Sequence, residues 1–163
     1  MNLTSIRSPE EIVVRHYCES LFFGAQLPEA PAGTRIADIG SGAGFPGVPM
    51  AILRPDWRLT LIESHQRKGV FLRESTRALS NLTIIAQRAE QVAERFDWLV
   101  GRAIAANDVL ALIPKLANQV GLLIGTTDFE GLTGHGGFTW SKTIAIPWSS
   151  RTLCVFGIGY RST

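Results

Sequence analysis

Three glycines at alternate positions, Gly40, Gly42 and Gly44, follow an acid at Asp38, and a second acid, Glu63, stands about twenty residues further on. Residues without a Cβ let a turn take positive φ and aim peptide N–H groups at a ligand. A carboxylate at that distance is where an α/β nucleotide site accepts hydrogen bonds from ribose hydroxyls. The chemistry indicated is the holding of an adenosine-containing small molecule. The plainer alternative makes the glycines an ordinary turn and Glu63 the start of a solvated loop; the two features together argue against it.

The spacing Gly42-x-Gly44-x-x-Gly47 formally matches a dinucleotide fingerprint, which is weak alone. Phe45-Pro46 occupies the segment where a pyrophosphate needs N–H donors, and proline has none. S-adenosyl-L-methionine, with a carboxylate and an amine in place of a pyrophosphate, suits an acid before the glycines better; a nicotinamide dinucleotide is the alternative. The candidate cofactor contacts are Asp38, Gly40, Ser41, Gly42, Gly44, Phe45, Glu63 and Ser64.

These residues need a βαβ unit to position them. Arg35 to Ile39 reads as a buried strand, Val48 to Leu53 as a short helix entered through Pro46 and stopped by Pro55, and Leu59 to Ile62 as the next strand. A helix over about 65–79, strands at Leu82 to Ala86 and Phe96 to Val100, a helix from Asn107 to Leu116 and a strand from Gly121 to Gly125 continue the alternation. Thr126 to Thr139, rich in Gly, Thr and Asp, reads as a mobile loop. Trp140 to Trp148 and Arg151 to Tyr160 alternate as an antiparallel hairpin. Upstream, Ser8-Pro9-Glu10-Glu11 starts a helix reaching about Phe23, and a linker leads to residue 34. The expected architecture is one α/β domain over 1–163, with the N-terminal helix and linker in 1–34 and a Rossmann-like core in 35–163. Its sheet is mainly parallel, with an antiparallel C-terminal hairpin.

At 163 residues the chain has room for one real core, and 45% hydrophobic with 18% charged residues excludes a disordered class. A net charge of +2 permits a local nucleic-acid patch without arguing for a general one. Cys18 and Cys154 have no paired spacing, the start lacks a signal-peptide pattern, and no stretch approaches bilayer length. A reduced, cytoplasmic protein is the default expectation. His16, His65 and His135 lack neighbours at zinc-site intervals, so no metal is expected.

Asp38-Ile-Gly-Ser-Gly-Ala-Gly-Phe-Pro-Gly47 with Val48-Pro49 and Ala51-Ile52 resembles the motif I region of the glucose-inhibited division protein B family. Asn2-Leu-Thr-Ser-Ile-Arg7, His16 with Ser20, Ser64 with Arg67-Lys68, Arg88-Ala-Glu90 and Arg102-Ala103 agree in order, so the resemblance covers most of residues 2 to 103. It implies the Rossmann-like class I S-adenosylmethionine-dependent methyltransferase fold and an enzyme methylating position 7 of a guanine in 16S ribosomal RNA, acting on small-subunit RNA or a 30S particle; a monomer off the membrane is the expectation. It places Ala89 and Glu90 beside the adenine, makes Arg102 both a cofactor neighbour and the residue holding RNA or the target guanine, and suggests His16 as an RNA or ligand contact; Arg7, Arg15 and Arg88 are expected to form a local patch for RNA phosphates, a solvated helix face being the alternative for Arg7, Arg15 and His16. Relatives continue upstream of Met1 and carry a lysine where this chain has Ile124. The expectation is a late-called start or a lost segment, and the alternative function is a cofactor-binding protein with lost or weak RNA methylation.

Overall fold

The computed structural model describes residues 8–132 and 138–159, so Arg7 and His135 lie outside the described residues. The chain begins in helix α1 (Pro9–Ile12), where the Ser8 hydroxyl accepts from the Glu11 N–H and Pro9 occupies the first turn. A π-helical segment (Val13–Cys18) follows, and α2 (Glu19–Gln26) carries the helix past the expected end at Phe23. Phe23, wholly buried, stacks on Phe156 with centroids 5.2 Å apart and fastens this helix to the sheet.

The remaining elements are β1 (Arg35–Ile39), α3 (Gly47–Leu53), β2 (Arg58–Ile62), α4 (Gln66–Thr76), β3 (Leu82–Ile85), a 3-10 turn (Ala89–Gln91), β4 (Trp98–Arg102), α5 (Ala106–Leu116), β5 (Gln119–Gly125), α6 (Thr126–Glu130), β6 (Phe138–Ala145) and β7 (Thr152–Gly159). One seven-stranded sheet runs β3-β2-β1-β4-β5-β7-β6. The first five strands pair in parallel, and β7 runs antiparallel between β5 and β6. This is the Rossmann-like sheet with an antiparallel hairpin. The hairpin does not simply close an edge: Cys154, Val155 and Phe156 of β7 are fully buried because β7 is internal, while β6 forms the edge.

Successive residues of β4 serve opposite faces, which explains two apolar clusters. Trp98 and Val100 pack with Met50, Trp57 and Phe156 on one face, whereas Leu99 packs with Ile113, Leu116 and Val120 on the other. Ile124 is 7% exposed inside the second cluster and pairs in register with Leu153 of β7. The segment read as a mobile loop from Thr126 begins instead as α6, because Gly125 at its N-cap is extended and the next five residues continue helically. Residues 133–137 of that segment lie outside the described residues.

Candidate functional site

Strand order reverses between β1 and β4, and the loop after β1 crosses this point. Gly40, Gly42 and Gly44 take φ of 65°, 58° and 99°. The N–H groups of Gly40 and Ser41 donate to the Ile62 carbonyl at 2.8 and 3.3 Å, hooking the loop onto the end of β2. There, Glu63 Oε2 accepts from the Gly42 N–H at 2.9 Å and Oε1 accepts from the His65 N–H at 2.7 Å. Glu63 is only 6% exposed, so it begins no solvated loop. A carboxylate has about four lone-pair positions, so two charge-assisted bonds leave acceptor capacity for a hydroxyl.

The structure moves two expected contacts from the ligand to the scaffold. Asp38 is fully buried, and its Oδ2 accepts from the Gly47 N–H at 3.0 Å, tying α3 to β1. No hydrogen-bond partner reaches Oδ1 among the described residues. Burial pushes the Asp38 carboxyl up to about 7, against the lowering effect of the Gly47 and Ser41 bonds. Ser41, 2% exposed, donates its hydroxyl to the Asp38 carbonyl at 2.8 Å. Both side chains are sealed beneath the loop and support its shape.

Above the loop lies a cleft of about 220 Å³ lined by Gly40, Ser64, Gln87, Arg88, Ala89 and Glu90, with Ile39, Ile62, Ile104, Asp108 and Leu112. Gly40, Ser64, Ala89 and Glu90 therefore stand together as expected. Arg88 lines this rim as well, at the N-cap of the short turn after β3. Gln87, Ile104, Asp108 and Leu112 were not singled out from sequence; aliphatic residues on amphipathic elements read as core, and only convergence shows them as walls. A larger cleft of about 590 Å³ opens at the amino ends of the strands around Arg35, Trp57, Arg58 and Asn81, remote from the glycine turn.

Phe45 turns away from the cleft. Its ring stacks on His16 with centroids 4.9 Å apart and meets the edge of Tyr17 at 5.0 Å. Phe45 is thus absent from the lining of the cleft and packs the π-helical segment, through His16 and Tyr17, against the glycine loop. Burial, then the positive charges of Arg102 and Arg15, hold the His16 pKa below its ordinary value. Arg15 itself is exposed on this segment.

Arg102 also departs from expectation. It lines neither the cofactor cleft nor the open edge; its Nη2 donates to Glu19 Oε2 at 2.9 Å, with the two side chains 14% and 2% exposed. Burial drives Glu19 up and Arg102 down from their ordinary values, each restrained by the partner's charge. Nη1 of Arg102 is buried without a hydrogen-bond partner among the described residues. This pair ties the end of β4 to the start of α2. Glu19 was missed because an acid on a polar helix face reads as solvated.

Among the described residues no group of three or more His, Cys, Asp or Glu could hold a metal ion, and no helix is long and apolar enough to cross a membrane.

Residues 1–125 match the family model described as rRNA small subunit methyltransferase G. The chain is 43% identical over 121 residues to the ribosomal RNA small subunit methyltransferase G of Sorangium cellulosum, covering 70% of this chain and 50% of the relative. Against the protein of that name from Nitrosospira multiformis it is 42% identical over 123 residues, covering 73% and 54%. The chain spans about half the length of the curated relatives it matches. By structure it resembles fibrillarin in its Nop5p complex, with a TM-score of 0.71, 13% identity and coverage of 90% of this chain and 82% of that one. It also resembles magnesium protoporphyrin IX methyltransferase from Synechocystis PCC 6803 with bound SAM, with a TM-score of 0.69, 14% identity and coverage of 98% and 87%. At such identities these two establish the fold alone, that of class I methyltransferases.

Proposed function

Because the chain belongs to the rRNA small subunit methyltransferase G family, we propose that it transfers a methyl group from S-adenosylmethionine to position 7 of a guanine in 16S ribosomal RNA. The observation that carries this reading is the 220 Å³ cleft at the strand-order reversal, where the glycine loop, the end of β2 and the turn at Ala89–Gln91 converge. Its donor set fits the cofactor. Ile39, Ile62 and Leu112 offer apolar walls to an adenine ring and Ser64 and Glu90 offer polar ends, while Glu63, buried between the lining residues Ile62 and Ser64, pins Gly42 and keeps spare acceptor capacity.

S-adenosylmethionine, when bound, supplies a methyl group activated on a sulfonium. The chain's own part is binding and alignment. Ring nitrogen 7 of guanine has a lone pair and no proton, so no side chain must act as base, and alignment with exclusion of water carries the rate. The pinned loop at Gly42 fixes one side of the reaction centre, and the Arg102 to Glu19 pair fixes the end of β4 on the other. Arg15 and His16 on the N-terminal segment remain the proposed RNA contacts, and the protein is proposed to act as a single cytoplasmic domain and a monomer.

A second reading, a cofactor-binding protein with weak or lost RNA methylation, is favoured by Arg102 being occupied by Glu19 and by the buried, apolar Ile124. Tritiated-methyl transfer to undermodified 16S RNA and to 30S particles, with nucleoside mapping, separates the two. Label on nitrogen 7 of one guanine supports the first reading. Calorimetric binding of S-adenosylmethionine without label supports the second, and preference for NAD would overturn both.

A further inference from the structure

A second cleft, of about 610 Å³, opens at the same edge of the sheet between the turn after β4 and α6. Ile104 lines it and also lines the first cleft. The Ile104 Cδ1 stands 2.8 Å from where a Cβ on Gly40 would be, so one side chain separates the glycine loop from this second space. Ala103, which shapes the turn, holds φ of 51°, a left-handed conformation that a non-glycine residue keeps only when its surroundings impose it.

Leu132 gives the cleft an apolar surface, and Asn107, Thr127 and Asp128 give it polar ones. Asp128 is exposed, and among the described residues no ion pair neutralises it. Its Oδ2 lies 3.0 Å from the position a Cβ on Gly125 would take, so the carboxylate folds over a glycine that leaves it room. A methyl acceptor has to adjoin the cofactor cleft, and this space adjoins it, with Ile104 as the shared wall.

We propose that this second cleft receives the acceptor guanine and that Asp128 selects it by accepting hydrogen bonds from ring N1–H and the exocyclic N2 amine. The inference rests on the guanine reading given above. Guanine presents two adjacent donors on its Watson–Crick edge, matching the two acceptors of one carboxylate. Adenine presents a lone pair at N1, which a carboxylate repels, and inosine lacks the amine. Nitrogen 7 lies on the opposite edge of the base, so anchoring the Watson–Crick edge at Asp128 leaves it directed toward Ile104 and the cofactor cleft. Asp128 lies beyond residue 125, where the family match ends, so the contact belongs to this chain's own C-terminal part.

The test uses the full chain saturated with S-adenosylhomocysteine and titrated with short single-stranded oligouridine RNAs carrying one guanine, inosine or adenine. The wild-type chain should bind the guanine strand about ten-fold more tightly than the inosine strand. Asp128→Asn should remove that preference while leaving S-adenosylhomocysteine affinity unchanged, since the residue is outside the first cleft. A guanine preference that survives in Asp128→Asn, or that is missing from a wild-type chain that binds S-adenosylhomocysteine, overturns the proposal. Failure to bind S-adenosylhomocysteine at all overturns the cofactor reading and this one with it, and calorimetry without RNA tells that outcome apart.

Discussion

The Gly42 N–H donates to Glu63 Oε2 at 2.9 Å, joining the turn after β1 to the end of β2 across 21 residues of sequence. The same carboxylate accepts from the His65 N–H at 2.7 Å, so one side chain sets both the glycine loop and the entry to α4. Glu63→Ala removes this pin together with the proposed ribose acceptor. Charge-assisted bonds are worth about 1.5–3 kcal/mol, so S-adenosylhomocysteine affinity should fall roughly ten-fold or more by calorimetry. Unchanged affinity would sink the cofactor assignment.

Two glycines of the loop region should fail differently. A Cβ on Gly47 would come 2.2 Å from the Leu61 Cδ2 and 2.8 Å from Asp38 Oδ2, so Gly47→Ala overpacks the seam between α3 and the sheet. The expected cost is about 1–3 kcal/mol in urea unfolding. At Gly42, φ is 58° and the nearest atom to a Cβ is the Gly40 carbonyl oxygen at 3.7 Å. Gly42→Val should cost about 1–2 kcal/mol through backbone conformation and should also weaken cofactor binding. Equal effects of both substitutions on affinity would contradict this division.

Asp38 should give the fold an unusual response to pH. Its pKa is raised by burial to about 7 from the 3.8 of an ordinary aspartate. Between those values the folded chain holds a proton that the unfolded chain releases, so the stability contributed by this group is lost as pH rises toward 7. Lowering pH from 8 to 6 should raise Tm through Asp38, and Asp38→Asn should abolish that part while keeping an acceptor for the Gly47 N–H. The variant should melt no lower than wild type at pH 8. Identical Tm profiles for the two proteins would show that Asp38 does not titrate in this window.

Glu19 and Arg102 form a buried pair, and removing one partner strands the other. Glu19→Ala should cost about 3–5 kcal/mol, read from urea midpoints. Adding Arg102→Met to it should recover part of the loss, since the double variant buries no charge. Strict additivity would argue that the 2.9 Å contact contributes nothing specific.

Ile124→Lys, which introduces the lysine that the family resemblance leads one to expect, should not raise activity here. Position 124 is 7% exposed within the cluster of Val155 and Leu132, so a lysine must be buried or distort β5. A lowered Tm with no gain in methyl transfer is expected; a gain in transfer at unchanged Tm would show that this end of β5 opens toward RNA.

The sequence by itself determined what short-range chemistry controls. Apolar runs placed all seven strands, glycines marked the turn after β1, prolines bounded α3, and alternation identified the C-terminal hairpin. Boundaries moved by a few residues where tertiary bonds decided them, as at β4, which starts at Trp98 while Phe96 donates to the Leu116 carbonyl. Only the tertiary structure decided which polar groups meet. Glu19 and Arg102 are separated by 83 residues and pair in the core, and Asp38 faces Gly47 instead of the cleft. Phe45 lies against His16, and β7 inserts between β5 and β6. Local pattern reports whether a residue suits a strand or a helix face. Whether a charge on that face ends in water or against a distant opposite charge depends on how the elements stack, because the desolvation that makes it matter exists only once they have packed.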